Sequence, residues 1–357
     1  MKKRLENLRK FLVEQSVDAF ITDYKINRRY LSGFTGSAGW VIVSQDKAIL
    51  LTDFRYIDQA TEQAQDFTIV DTLRNTLPAI LDQLQALGVK KLAFEKNHIT
   101  YSTFEEWSNA FEGVELVATN GLVEHLREVK DESELAIIKE AVRIADAAFA
   151  HICTFIKPGV SEIEVANELE FYMRKLGATS SSFDIIVASG VRGALPHGVA
   201  SDKIIQAGEM VTLDFGALYQ GYISDITRTV SVGEPDPKMK EIYDIVLRAQ
   251  LNCVENLKPG MTGKEADALT RDIIRDAGYA EAYGHSTGHS IGLLVHETPN
   301  LSAVSAAELK PGNVVTVEPG IYISGLGGVR IEDDVVITET GIEILTKSTK
   351  ELLILPV

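Results

Sequence analysis

Four carboxylates in this chain sit where a carboxylate is expensive. Asp214 and Asp225 lie eleven residues apart in VTLDFGALYQGYISDITRTV (211–230). Glu318 and Glu332 lie fourteen apart, in VVTVEPGIYI (314–323) and GVRIEDDVVIT (328–338). All four fall in apolar, β-patterned runs, where an acid is costly to bury unpaired. Glycines between the members of each pair allow turns, so each pair can fold face to face. Four converging acids cannot all stay ionised without cations. Divalent metal is the simplest answer, and carboxylates able to bridge suit two ions about 3.5–4 Å apart. Arg228 and Arg330 offer the plainer alternative of ordinary ion pairing.

Imidazoles accompany the acids. GHSTGHSIGLLVHETP (284–299) holds His285, His289 and His296, three of the chain's seven histidines. Its small neighbours let a ring approach an ion, and imidazole is a good ligand for Mn, Co or Zn. His197, in ALPHGVAS (194–201), stands 99 residues before His296, so the two can flank one site as a symmetric pair.

That symmetry comes from an internal repeat. KPGVSEIEVANELEFYMRKLGA (157–178) matches KPGMTGKEADALTRDIIRDAGY (258–279) at an offset of 101 residues, and GEMVTLDFG (208–216) matches GNVVTVEPG (312–320) at 104. Both helical copies open with a capping box, Ser161 with Glu164 and Thr262 with Glu265. Asp214 thereby stands opposite Glu318. Two copies are too few for a solenoid, so a pseudo-twofold domain is expected, with the site at the junction of its halves.

The elements upstream differ in kind. Strands are predicted at 19–23, 40–44, 48–53, 67–71, 91–95 and 114–119, and helices near 2–16, 55–65, 77–88 and 102–111. This alternation implies an α/β domain with a mostly buried sheet. A charged stretch, EHLREVKDESE (124–134), leads into a long helix in which Leu135, Ile138, Val142, Ala145, Phe149 and Ile152 keep three-to-four spacing, with Asp131 and Glu134 as its cap. The boundary is placed there, giving an α/β amino-terminal domain over 1–123 and an α+β domain over 124–357.

Composition removes other classes. With 35 basic and 51 acidic residues among 357, the net charge is −16, which argues against a nucleic-acid backbone binder. The chain is 45% apolar, too much for disorder, and no run approaches a membrane span. The start reads as an amphipathic helix and not a signal peptide. Two cysteines, Cys153 and Cys253, make no disulfide framework, so a cytoplasmic setting is expected. GFTGSAG (33–39) lacks the spacing and lysine of a P-loop and reads as a tight turn.

The order and local contexts of Asp214, Asp225, His289, Glu318 and Glu332 resemble those of the five metal ligands of the pita-bread metallopeptidases. The similarity is strongest to their proline-specific branch, aminopeptidase P and prolidase. GHSIGLLVHETP, VEPGIY and VRIEDD carry it, and NRRYLSGFTGSAGW (27–40) with LTDFRY (51–56) resembles the amino-terminal, creatinase-like domain of bacterial aminopeptidase P. Ser290 departs from the pattern, since many relatives carry glycine or an aromatic residue there.

The resemblance implies a pita-bread catalytic domain and two divalent ions, Mn2+ first and Co2+ or Zn2+ as alternatives. Asp214 and Asp225 would hold one ion and His289 and Glu318 the other, with Asp225 and Glu332 bridging them. A hydroxide between the metals would attack the peptide carbonyl. Glu318 would be the acid/base group; His197 and His296 would assist catalysis and, with His285, Tyr322 and Arg330, bind substrate. Proline-containing peptides are the implied partners, and a homodimer the implied assembly. An X-Pro bond lacks an N–H and has a fixed φ, so a cleft shaped to proline is needed. The expected activity is Xaa-Pro aminopeptidase; the alternative is Xaa-Pro dipeptidase, acting on dipeptides alone. A catalytically silent binding module is the third reading, and it predicts missing ligands where all five are present.

Overall fold

The computed structural model describes Met1–Val357. The chain divides into two compact units, Met1–Arg127 and Glu128–Val357. No helix is long and apolar enough to cross a membrane.

In the first unit the order is α1 (Lys2–Glu14), β1 (Ala19–Thr22), α2 (Lys25–Ser32), β2 (Trp40–Ser44), β3 (Ala48–Thr52), α3 (Ile57–Gln63), β4 (Thr68–Asp71), α4 (Thr76–Ala86), β5 (Lys91–Glu95), α5 (Tyr101–Ala110), β6 (Glu115–Thr119) and α6 (Leu122–Glu128). One six-stranded sheet, β4-β3-β2-β1-β5-β6, forms its centre. It is parallel except where β2 runs against β1 and β3. Ile21, Ile42, Leu51 and Leu92 from the sheet pack with Trp107 and Phe111. All six predicted strands are present, with ends moved by a residue or so.

Helix α2 is absent from the periodicity-based expectation because its buried face mixes polar with apolar residues. Asn27, Arg28 and Ser32 are buried beside Tyr30 and Leu31, so polar residues interrupt the usual apolar stripe. The Arg28 guanidinium donates to the carbonyls of Gly36 (2.6 Å) and Gly39 (2.8 Å). The glycine-rich turn is thus anchored by an arginine.

The second unit shows the repeat as structure. Two helix pairs, α7 (Glu132–Phe155) with α8 (Glu162–Lys175) and α9 (Pro237–Asn256) with α10 (Gly263–Asp276), back two sheets, antiparallel except for one strand pair. The first sheet comprises β8 (Ile186–Ser189), β9 (Met210–Phe215) and β12 (Ile226–Val232), with β20 (Ile354–Leu355) parallel beside β12. The second comprises β13 (Gly288–Ser290), β14 (Glu297–Leu301), β15 (Val314–Val317), β18 (Asp333–Ile337) and β19 (Ile342–Ile344). In each, a central strand, β9 or β15, lies between antiparallel partners. Small ribbons complete each half: β7 (Ser180–Ser181) with β10 (Ala217–Tyr219) and β11 (Tyr222–Ile223), and β16 (Gly320–Ile323) with β17 (Gly327–Arg330).

The expected caps form. Asp131, Ser161 and Thr262 each accept from the N–H three residues on, and Glu134, Glu164 and Glu265 reach back. Each box satisfies two orphan donors at a helix start. The fold class expected from the sequence is therefore the one adopted, an α/β unit followed by a pita-bread unit with pseudo-twofold halves.

Candidate metal centre

The central strands deliver the acids to one place. Asp214 lies near the end of β9, opposite Thr227 of β12, and Asp225 immediately precedes β12. Glu318 follows β15, while Glu332 precedes β18. The halves are stitched there by the Glu332 N–H donating to the Thr227 carbonyl at 3.0 Å. Glycine makes two approaches possible. A Cβ at Gly288, beside His289, would lie 2.0 Å from the Thr316 carbonyl oxygen, and one at Gly216 would lie 1.7 Å from that of Ser224. Any larger residue would push strands apart at the site.

Ligand oxygens of Asp214, Asp225 and Glu332 lie within 4.8 Å of one another. All three residues are at most 9% exposed. Thr227 donates to Glu332 Oε2 at 2.7 Å, and Arg330 donates to Asp214 Oδ2 at 2.5 Å. Yet Asp214 Oδ1, Asp225 Oδ1 and Glu332 Oε1 are buried without any hydrogen-bond partner. An orphaned charged oxygen is heavily penalised away from water. Three together, carboxylates spaced as ligands of common ions, fit divalent cations.

His289 completes the group from β13. Its Nδ1–H donates to the Ser290 carbonyl at 3.2 Å, which leaves the Nε2 lone pair facing Glu318 Oε1 (3.3 Å) and Asp225 Oδ2 (3.9 Å). A ring held in this tautomer is prepared to bind metal.

The electrostatics agree. Burial, reinforced by Glu332 and Asp214, pushes the Asp225 carboxyl well above its ordinary value. Burial and the neighbouring carboxylates of Glu318 and Asp214 do the same to Glu332. Burial raises Glu318 to about 7 against the opposing pull of Arg330. Burial also holds His289 and His296 below the usual imidazole value. The protein thus disfavours these negative charges until positive charge joins them.

A cleft of about 700 Å³ opens onto the centre, and His197, His285, His296 and Arg330 line it together with Asp214, Asp225, His289, Glu318 and Glu332. The His289 and His296 rings meet edge-on with centroids 4.4 Å apart. Tyr322 stands behind this wall. Its hydroxyl accepts from Arg330 Nη1 and donates to His285 Nε2, both at 2.8 Å. Since His285 Nδ1 donates to the Ser286 carbonyl at 2.8 Å, both ring nitrogens of His285 are engaged. Burial drives its pKa down to about 4, which keeps the ring neutral.

Several supporting groups carried no motif signal. Asp334 Oδ2 accepts the Asp225 N–H at 2.9 Å. Asp267 accepts from the N–H and hydroxyl of Thr287 and pairs with Arg271, which donates to the His285 carbonyl at 2.7 Å. The buried pair Lys130–Glu297 (3.1 Å) braces the loop before His296, where Glu297 also accepts from the N–H groups of Leu293 and Leu294. In the first unit Glu95, His98 and Glu124 also converge. There, however, the carboxylates already accept hydrogen bonds from Thr22, Asn27 and His98.

Comparison with known proteins agrees with this geometry. Residues 136–339 match the model of metallopeptidase family M24, and residues 4–129 that of the creatinase/prolidase N-terminal domain. A solved structure described as Xaa-Pro dipeptidase from Bacillus anthracis is 56% identical, with 99% of each chain covered and a TM-score of 0.98. The Xaa-Pro dipeptidase of Pyrococcus furiosus is 43% identical over 99% of this chain and 100% of its own length. The structure of X-Pro aminopeptidase from Thermotoga maritima is 41% identical over 96% of this chain and 98% of that one, with a TM-score of 0.91.

Proposed function

This chain belongs to metallopeptidase family M24, and on that premise we propose that it is an Xaa-Pro dipeptidase, hydrolysing the bond between a first residue and a following proline. The observation that carries the hydrolytic reading is the set of buried, unpartnered oxygens on Asp214, Asp225 and Glu332. The preference for dipeptides, over the aminopeptidase activity expected from the sequence, is supported by the relatives described as Xaa-Pro dipeptidases.

Asp214, Asp225, His289, Glu318 and Glu332 would hold two divalent cations, and four carboxylates to one imidazole suit Mn2+. Such ions, when bound, lower the pKa of water and polarise a carbonyl. Glu318 takes a proton from the attacking water and returns one to the departing proline nitrogen. Arg330 holds the Asp214 carboxylate in place while the Tyr322 hydroxyl fixes Arg330 and His285. His197 and His296 contact the substrate from the cleft wall.

Aminopeptidase action is the second reading, and one feature favours it. Arg330 is the sole arginine or lysine lining the cleft, and it is committed to Asp214, Tyr322 and the Pro196 carbonyl. No spare guanidinium there awaits a proline carboxylate. Metal-reconstituted protein should be assayed on an X-Pro dipeptide, an X-Pro-Y-Z tetrapeptide and an X-Ala control. Cleavage of the dipeptide alone is expected. Tetrapeptide cleavage selects the aminopeptidase, and cleavage of neither proline substrate refutes the peptidase reading.

A further inference from the structure

We infer that Glu162 is a positioning residue that sets the wall of the cleft carrying His197, an inference that rests on the substrate-facing role proposed above for His197. Glu162 is the first helical residue of α8, behind the N-cap Ser161. An acid at that position is ordinarily a solvated partner of the helix dipole. This one is fully buried at 0% exposure.

Its two oxygens take five donors. Oε1 accepts from the Ser189 N–H and hydroxyl, each at 2.8 Å. Oε2 accepts from the Ser201 hydroxyl at 2.6 Å, the Ser201 N–H at 3.2 Å, and the Arg192 guanidinium. Ser189 ends β8, and Ser201 lies beyond the excursion that contains His197. One carboxylate therefore clamps both feet of the segment 190–200, each foot through backbone and side chain.

The clamp extends into the segment itself. Arg192, held by Glu162, donates to the Val199 carbonyl at 2.9 Å. The Pro196 carbonyl accepts from Arg330. Pro196, His197 and Val199 line the cleft, whereas Glu162 does not. His197 is itself exposed at the tip, so its place is set through the backbone, by the two feet and by the Pro196–Arg330 contact between them, and not by packing around the ring. A charged acceptor suits this task because hydrogen bonds to an ionised group are shorter and roughly twice as strong as neutral ones. Small displacements of a substrate-binding group are costly in rate.

The test is Glu162→Gln alone and with His197→Ala, on the metal-loaded full chain. The amide brings its own N–H2 against donors, so one foot loses its acceptor while the volume is unchanged. Amide hydrogen exchange in 190–201 should accelerate about tenfold or more with β9 and β12 unchanged. On an X-Pro dipeptide kcat/KM should fall about tenfold or more with metal content unchanged. In the His197→Ala background the same substitution should cost less than about twofold. Equal multiplicative losses in both backgrounds, unchanged exchange in the segment, or acceleration spread through β9 and β12 each overturn the inference. If E162Q does not fold, Ser201→Ala removes one donor and keeps the carboxylate; exchange near residue 201 must then rise, and unchanged exchange overturns the clamp. Should the wild-type chain cleave no X-Pro peptide, the functional reading fails while the exchange measurement still decides whether Glu162 holds the segment.

Discussion

Replacing Asp225 with asparagine should stabilise the metal-free protein and remove its response to metal. The carboxylate oxygens of Asp214, Asp225 and Glu332 lie within 4.8 Å of one another. At that separation and an effective dielectric near 20, two unit charges repel by roughly 3.5 kcal/mol. Asparagine removes two such pairings and offers N–H2 donors to the two orphaned neighbours. Part of the repulsion is already relieved by protonation, because burial raises Asp225 and Glu332 well above ordinary carboxylates. The gain for the apo form is therefore about 1–3 kcal/mol, and each kcal/mol moves Tm by roughly 2–4 °C for a unit of this size. Cation binding works in the opposite sense. At one hundred times Kd, an ion stabilises the wild-type chain by about 2.7 kcal/mol, and a variant lacking the proposed bridging carboxylate should lose most of that. Thermal unfolding in chelator and in excess Mn2+ reads both effects. A D225N protein less stable than wild type in chelator, or one with the full Mn2+-dependent rise in Tm, would refute this electrostatic account.

Two further outcomes are expected. Glu95 is raised to about 7, chiefly by burial. A group with a raised native pKa costs stability as pH rises from its unfolded value near 4.5 toward 7, so E95Q should flatten that decline, worth about 3 kcal/mol in order of magnitude; denaturation of the two proteins at pH 5 and pH 8 checks it, and parallel curves would contradict it. Tyr322→Phe leaves an Arg330 donor and the His285 Nε2 acceptor unpaired, costing roughly 1–3 kcal/mol and lowering kcat/KM on an X-Pro substrate about tenfold with metal content intact, as steady-state kinetics and metal analysis would report; unchanged kinetics would remove Tyr322 from the site.

Much of the catalytic unit was legible because duplication writes each feature twice. Ser161 and Thr262 mark equivalent helix starts, and Asp214 and Glu318 mark equivalent strand ends, so a pairing that means little once becomes informative in two copies. The four acids among the five proposed ligands were legible for a second reason: acids within or at the ends of apolar strands are conspicuous. Their supports were not. Asp334 sits in an acidic string beside Glu332, and Glu162 occupies a helix start where any acid is unremarked. What distinguishes both is burial and the donors around them, which only the fold assembles. Helix α2 escaped for a related reason, since Asn27, Arg28 and Ser32 face inward and periodicity rules count them as outward. The choice between dipeptide and longer peptide turns on the far end of the cleft, where no spacing pattern speaks.

The most direct test of the metal centre is a titration of chelator-stripped protein with Mn2+, following bound metal per chain and X-Pro hydrolysis together. Activity absent at zero metal and rising to a plateau as two ions bind per chain is the predicted result. Full X-Pro hydrolysis by the metal-free chain, or a plateau reached with no ion retained, would contradict the centre built on Asp214, Asp225, His289, Glu318 and Glu332.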